Sequence, residues 1–508
     1  NGEVTGARSI GRSLVLSRGM PQCTDPDQTI FAEVYESGLP VLSNDLSVRE
    51  GNTAFEMEVL EQGLKNYYLA PLLNDEIPMG FFEVGVPQAS SISVLNKNFL
   101  DNVALLFSTA LKRSLDEQED RVQAMIKKRF TAVHPVVEWK FRQAALASMT
   151  PNKVDLTSAV SFDSVHSFFA SSDIRGSSLK RGIAIQQDIA EQLGMALAII
   201  ISASSVRPTP SLDELGFRIE QNIEKVLSSV SSGDEVTYVD FLSHEIEPHF
   251  EELKSYSSDV ALQVERYKEA LDPELGIIYR KRKDFDDSVQ LLNQAITQFI
   301  NQKQEEAQKI APHYFEMYRT DGVEFSMYAG SSLLKNGNFK ELDLSSLRLW
   351  QLITMVGIAS VSRSLRPELP VPLETAQLVL LQATPVDIHF RIDEKKFDIK
   401  GSYNVRYEIV KKRIDKAVIL GTGERLTQPG KVAIVYTYPS ELKEYQRYLN
   451  YMFAAGYFEG TIEYLELDAL PGANGLKAMR ATIAETQPGS TSYPIPEPGT
   501  ISESKAEA

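Results

Sequence analysis

A run of charged and hydroxyl-bearing residues in the middle of the chain has the composition of an anion-binding site. Arg175-Gly176 is followed by Ser177 and Ser178, and Arg181 comes one helical turn later. Serine is a favoured N-cap residue, so a helix is predicted to begin here. The first turn of a helix offers free backbone N–H groups and the positive end of its dipole. We therefore expect these two serines and two arginines to bind a phosphate or carboxylate group.

Asp173, just before this run, provides the alternative interpretation. If its carboxylate pairs with Arg175 or Arg181, the motif is a structural helix start with no ligand. If Asp173 turns away, the site is open to an anion. The residue types alone leave both arrangements open.

A second cluster could line a pocket. His134, Glu138 and Trp139 lie within six positions of one another, and Asp173 is a candidate fourth member. The alternative is a turn followed by a helix start that a buried Trp anchors. Nucleophile-elbow, kinase and catalytic-triad patterns are not recognisable in the chain. The sequence therefore names no catalytic residue and no cofactor, and it does not make the chain an enzyme.

Two nearby histidines could be taken for zinc ligands, but their spacing does not support a zinc site. His244 and His249 are five positions apart, and Pro248 lies between them. Two zinc ligands on one helix face must be four positions apart. We predict no metal at this motif.

Composition narrows the class of protein. The 508 residues include 52 Lys and Arg against 69 Asp and Glu, a net charge of −17, which argues against a nucleic-acid partner. With Cys23 the only cysteine, a cytoplasmic setting is expected. The longest apolar run, Met195 to Ala203, is too short for membrane insertion. Because the chain opens at Asn1, it is expected to be part of a longer protein.

The N-terminal part contains a strand–turn–strand–helix pattern. The stretches YLAPLLNDEIPMGFFEVGVPQ and LNKNFLDNVALLFSTALKR predict one sheet carrying Leu69, Pro71, Phe82 and Val84. A helix follows whose apolar positions recur every three or four residues, and it is expected to pack on that sheet through Phe99, Val103 and Leu106. This pattern resembles the second half of a GAF domain. The resemblance implies a module that binds a small ligand or mediates dimerisation.

The periodicities along the chain predict a multidomain α+β protein. We expect a partial GAF-like α/β domain, a central helical region and a C-terminal mixed or antiparallel α+β domain. The predicted boundaries are 1–115 for the GAF-like domain, 116–176 for a connector helix and linker, 177–311 for the helical region, 312–484 for the α+β domain and 485–508 for a disordered tail.

Two further stretches, TAVHPVVEWKFRQAA and SSDIRGSSLKR, resemble large uncharacterised bacterial proteins that contain a GAF domain. The resemblance implies domain order and a cytoplasmic setting. The GAF-like module favours a regulatory or sensory protein with a small-molecule ligand, and it leaves open a homodimer or a protein partner. The alternatives are an enzyme of unrecognised class with a site near Asp173 to Arg181, and a structural scaffold whose GAF-like fold has no ligand.

Overall fold

A computed structural model divides the chain into two compact units, Asn1–Arg129 and Phe130–Ala508. It describes residues 30–48, 52, 54–74, 77–129, 133–148, 160–228, 234–382, 384–391, 396–400, 410–411, 413–470 and 475–485. The predicted tail lies outside these residues apart from Glu485, and so does Cys23.

The first unit is built on a small antiparallel sheet with strand order β1-β2-β3. Its elements in the described residues are α1 Ile30–Ser37, β1 Val41–Ser43, α2 Ala54–Glu61, β2 Asn66–Asn74, β3 Ile77–Val86 and α3 Val94–Arg129. Strand β2 is buried on both faces, which is why its sequence is an almost continuous apolar run. Tyr67 and Leu69 pack with α1 and α2, while Tyr68 and Ala70 pack with α3.

The sheet residues predicted from the sequence do share this sheet, but the predicted packing face of α3 is wrong. Phe99 is 67% exposed and Leu106 is 70% exposed, and Val103 is half-buried. The helix instead contacts the sheet through Ala104 and through Phe107, whose ring stacks on that of Phe82 with 5.4 Å between the ring centroids. Both helix faces carry apolar residues, so the helical period did not identify the buried one.

The second unit is built around a mixed sheet in which β4 occupies a central position. The strands are β4 Ser161–Ile174, β5 Tyr314–Thr320, β6 Gly322–Ala329, β7 Thr375–Leu380, β8 Val386–Arg391, β9 Lys396–Lys400, β10 Lys431–Tyr436, β11 Phe458–Glu466 and β12 Lys477–Ile483. Their order is β11-β12-β10-β7-β4-β6-β5, and off this path β8 pairs with β4 while β9 pairs with β8. Only β7 and β10 pair in parallel among the described strands, which confirms the predicted α+β class.

Helices cover the sheet and also form a cluster of their own. Their bounds are α4 Pro135–Ser148, α5 Ser177–Val206, α6 Pro210–Ser228, α7 Asp234–Phe241, α8 Phe250–Leu253, α9 Ser258–Ala270, α10 Lys281–Ile310, α11 Glu341–Leu365 and α12 Pro439–Ala454. Helices α10, α11 and α12 pack on the sheet in one large core. Helices α5 to α9 share a separate core. Buried Asp188 of α5 accepts bonds from the first two N–H groups of α10, at 2.9 Å each, and so ties the helical cluster to the sheet layer.

This arrangement differs from the predicted boundaries. The predicted linker, residues 116–176, contains the last part of α3, helix α4 and the whole of the central strand β4. The predicted helical region, residues 177–311, belongs to the same unit as the sheet, because α10 packs against it. The observed division falls at Arg129.

Within the described residues, two helices of the second unit are long and apolar enough to cross a membrane by length and composition alone. The segment Glu341–Glu368, which includes α11, has 67% of its most apolar window buried within the protein, as expected for a core helix. The corresponding fraction for α5 is 39%.

Candidate functional site

The predicted anion motif lies where β4 ends and α5 begins. Gly176, with φ 68°, is the N-cap of α5 and provides no side-chain capping bond, so the helix does not start from a serine cap as the sequence suggested. Ser177 is buried and Ser178 is exposed. The left-handed conformation at Gly176 turns the chain sharply out of the strand, which is a role that glycine fills without strain.

Arg181 is paired with Asp321, an acid that the sequence reasoning did not name. The guanidinium donates two bonds to the carboxylate, at 2.9 and 2.6 Å, and also lies over the ring of Phe285. The bonds from Arg181, with a further bond from Ser177, hold the pKa of Asp321 below its usual value despite partial burial. One of the two predicted anion-binding guanidiniums is therefore already engaged by an internal carboxylate.

The remaining members of the motif are arranged differently. The Arg175 N–H donates to the carbonyl oxygen of Glu374 at 2.8 Å, while its half-buried side chain forms no ion pair with any residue that the structure describes. Asp173 is half-buried in β4, opposite Gly322 and Ala376, and its side chain does not pair with Arg181. Anion binding at this helix start stays a prediction, with Arg175 and Ser178 as its open groups.

The predicted pocket of His134, Glu138, Trp139 and Asp173 does not form. The Trp139 indole N–H donates to the carbonyl of Leu333 at 2.8 Å, and its ring lies 6.3 Å from that of Phe162, near the start of β4. Asp173 is eleven positions further along this strand. At about 3.3 Å per residue the two ends are roughly 36 Å apart.

The other two members of that cluster have structural surroundings. The His134 ring lies 5.5 Å from that of Tyr314, and burial lowers its pKa. Glu138 is exposed in the first turn of α4. A helix does begin at Pro135, and Trp139 anchors it through the bond to Leu333, although this Trp is half-buried and not buried as the alternative interpretation assumed.

A cleft of 260 Å³ opens elsewhere in the second unit, between the first turns of two helices and the carboxyl end of β7. The lining residues are His166, Ser167 and Phe168 of β4, Glu341, Leu344, Arg348 and Gln351 of α11, Leu380, Leu381 and Gln382 at the end of β7, and Ser440, Glu441, Glu444 and Tyr445 of α12. A neighbouring cavity of 370 Å³ shares His166 and Glu341 with it. The cleft lies at the carboxyl end of β7, which runs parallel to β10, a position where α/β sheets commonly bind ligands.

Most charges in this cleft are neutralised by internal partners. Arg348 donates to Glu444 at 2.5 Å, and Glu444 also accepts a bond from the Tyr448 hydroxyl. Burial opposes the charge on Arg348, but the neighbouring Tyr445 and Glu444 raise its pKa overall. Glu441 accepts bonds from two backbone N–H groups just before α12 and so caps this helix.

His166 lies where the two cavities meet. Its Nδ1 is buried without a hydrogen-bond partner, and its ring is stacked 6.3 Å from that of Phe339. Burial lowers the pKa of His166, and the positive charge of Arg348 adds to this effect, although Glu341 and Glu444 oppose it. The imidazole is therefore neutral near pH 7 and can donate or accept according to its tautomer.

Two further polar groups in the cleft lack protein partners. Gln351 is 1% exposed, and its Nε2 has no hydrogen-bond partner. The Tyr445 hydroxyl forms no hydrogen bond within the described part of the chain, although the side chain is buried. Buried polar groups are normally paired, so unpaired donors that line a cavity are candidates for contact with a ligand.

The sequence reasoning missed this cleft. His166, Arg348 and Glu444 are far apart in the chain, and only the sheet order brings them together. A weak signal was available: Gln351 is a polar residue within the apolar stripe of α11. Among the described residues, no group of three or more His, Cys, Asp or Glu side chains is placed to hold a metal ion.

Comparisons with known proteins give little further guidance. No protein-family model matches the chain, and no curated protein matches it. One similar solved structure is described as the crystal structure of the guanylyl cyclase Cya2. The alignment has 12% sequence identity and a TM-score of 0.24, and it covers 43% of this chain and 85% of that one. A likeness at this TM-score supports no conclusion about fold or activity.

Proposed function

We propose that this chain is a cytoplasmic regulatory protein that binds a small molecule in the cleft between α11 and α12. The observation that carries the proposal is the convergence of unpaired polar groups, Gln351 Nε2 and His166 Nδ1, on one cavity. Concave sites with a few converging polar groups and shifted pKa values are the usual places for ligands. Binding is thereby assigned to the second unit and not to the GAF-like module.

The first unit would then act as the regulatory or dimerisation module. Its long helix α3 has 36 residues and presents Phe99 and Leu106 to solvent. Exposed apolar side chains on one helix face favour a protein contact. The resemblance to GAF domains supports the same role, and a homodimer through this helix remains part of the proposal.

The ligand proposal is tested by blocking the mouth of the cleft. Ser440 is an exposed lining residue that follows Pro439 in the first turn of α12. Protein purified without added ligand would be examined by native mass spectrometry for a bound molecule. Ser440→Tyr should lose a molecule that the wild type retains.

The chain provides a matched control. Ser211 also follows a proline, Pro210, in the first turn of a helix, and it is exposed but does not line the cleft. Ser211→Tyr should retain the molecule. If wild-type protein carries no molecule and shows no stabilisation with a library of small metabolites, the proposal fails.

A second candidate function is an enzyme that acts on a phosphate-bearing substrate at the end of β4. The observation that favours it is the close approach of Asp321 to this strand end. Gly322, the residue after Asp321, packs so closely against β4 that a Cβ atom added to it would lie 2.3 Å from the carbonyl oxygen of Ser172. Asp173 and Asp321 thus occupy adjoining strand ends beside the N-terminus of α5. The free N–H groups in the first turn of α5, with Arg175 and Ser178 beside them, suit a phosphate group.

Turnover tests the enzyme proposal directly. The wild type would be incubated with Mg²⁺ and ATP or GTP, and the products separated by chromatography. Arg175→Ala should abolish any turnover, whereas Arg266→Ala, at an exposed position of α9, should not. Absence of turnover with both nucleotides would count against this candidate.

A further inference from the structure

We propose that the cleft between α11 and α12 recognises a small zwitterion of the amino-acid type, with a carboxylate at the buried end and an ammonium group at the rim. This inference rests on the proposed ligand-binding function and names the chemical class of the ligand. It follows from three observations: the unpaired donors at the buried end, an acid at the rim and the charge balance between them.

The buried end of the cleft offers hydrogen-bond donors. Gln351 Nε2 has no partner, and the Tyr445 hydroxyl makes no hydrogen bond with a described residue. Arg348 uses Nη1 on Glu444, and a guanidinium has five N–H donors in all. Gln351 Nε2 therefore requires an acceptor oxygen, and the Tyr445 hydroxyl and the remaining Arg348 N–H groups can donate to the same ligand group. A carboxylate provides two oxygens and a charge that Arg348 favours.

The rim of the cleft offers an acid. Glu341 is exposed at the first position of α11 and has no ion pair with a residue in the described part of the chain. It lines both cavities, beside His166. An ammonium group is the complementary ligand group for this carboxylate.

Charge balance excludes the simpler ligands. The lining carries three glutamates and one arginine, with His166 neutral, so a phosphate or a dicarboxylate would meet net negative charge. A simple amine would satisfy Glu341 but would leave Gln351 and Tyr445 unpaired. Only a ligand with both charges satisfies both ends. The volume of 260 Å³ lies slightly below the range of about 300–1,000 Å³ typical of ligand pockets, which favours a small molecule.

Calorimetry tests the inference on the full chain. The twenty protein amino acids would be titrated singly, followed by the amine and the carboxylic acid that each lack one charged group of the best binder. We expect at least one amino acid to bind, and both truncated compounds to bind at least about tenfold more weakly. Equal affinity for either truncated compound would overturn the inference.

Variants locate the binding groups. Tyr445→Phe and Glu341→Gln change single polar groups, and each should weaken binding about tenfold or more. Gln351→Leu should do the same. The matched control is Thr354→Val: Thr354 is 1% exposed on the same helix and also has an unpaired hydroxyl, but it does not line the cleft. Unchanged affinity in the three lining variants would overturn the inference.

The outcomes separate the two proposals. If no amino acid binds but native mass spectrometry finds another molecule that Ser440→Tyr loses, the zwitterion is excluded and the ligand-binding function stands. If no small molecule of any class binds in the cleft, both proposals fail.

Discussion

The contact between α10 and α11 predicts that one glycine cannot be replaced by alanine without cost. Gly357 lies in the middle of α11. A Cβ atom added to Gly357 would lie 2.3 Å from Cζ of Phe299 and 2.9 Å from its Cε1. Phe299 is a buried ring of α10 in the main core. Since glycine is unfavourable within a helix, its presence here is explained by the close approach of this ring.

Two opposing effects determine the magnitude. Replacing glycine by alanine within a helix contributes about 1 kcal/mol of helix propensity. Forcing a buried ring to shift in a packed core costs about 1–3 kcal/mol. Gly357→Ala should therefore lower the free energy of unfolding by up to about 2 kcal/mol. Gly194, within α5, has no atom within 4 Å of an added Cβ, so Gly194→Ala should raise the free energy of unfolding by about 1 kcal/mol.

The difference between these two variants isolates the steric effect, because the helix-propensity contribution is the same in both. Urea unfolding followed by circular dichroism should give a difference of about 1–3 kcal/mol in the transition of the second unit. Phe299→Leu should reduce the difference, because it removes the ring. A difference below about 0.5 kcal/mol would refute the argument, since it would mean that the ring moves aside freely.

Three further predictions follow from single contacts. Because Arg181 holds the pKa of Asp321 below its usual value, their pairing stabilises the fold above about pH 4 and is lost as the pH falls through the lowered pKa. Arg181→Ala should cost about 1 kcal/mol at pH 7 and less at pH 3 in urea unfolding; equal costs at both pH values would contradict the pairing. Trp139→Phe removes the bond to the Leu333 carbonyl and should lower the free energy of unfolding by about 1–2 kcal/mol; an unchanged thermal transition would oppose this. Leu106→Ser, at a position 70% exposed, should change the free energy of unfolding by less than about 0.5 kcal/mol; a larger loss would mean that a partner covers this side chain.

The sequence predicted local elements better than their packing. Strands β2 and β3 were recognised from their apolar patterns, and Ala70 does pair with Phe82, as Tyr68 does with Val84. Helix α3 was also recognised, but its packing face was not. A helical period shows that apolar residues share a face, and it cannot say which of two apolar faces is covered.

The central strand β4 was the principal element that the sequence reasoning missed. Its buried positions include Ser167 and Ser172 as well as phenylalanines, so it lacks the regular alternation of a half-buried strand. Without β4, the sheet order could not be derived, and neither could the cleft. The sequence reasoning assigned Arg181 to a ligand because its true partner, Asp321, is 140 positions away in the chain and cannot be recognised as a neighbour without the fold.

The place of β4 in the sheet has a consequence for the order in which the protein folds. Its two central partners, β6 and β7, begin 149 and 202 positions after Asp173, at Gly322 and Thr375. At about 5–20 residues per second, the strand waits roughly 7–30 s during synthesis before β6 exists. Phe168 and Phe169 lack their final neighbours during that time, and an unpaired apolar strand is prone to aggregation. The helices α5 to α9, which have a core of their own, can become compact in the interval and precede the sheet.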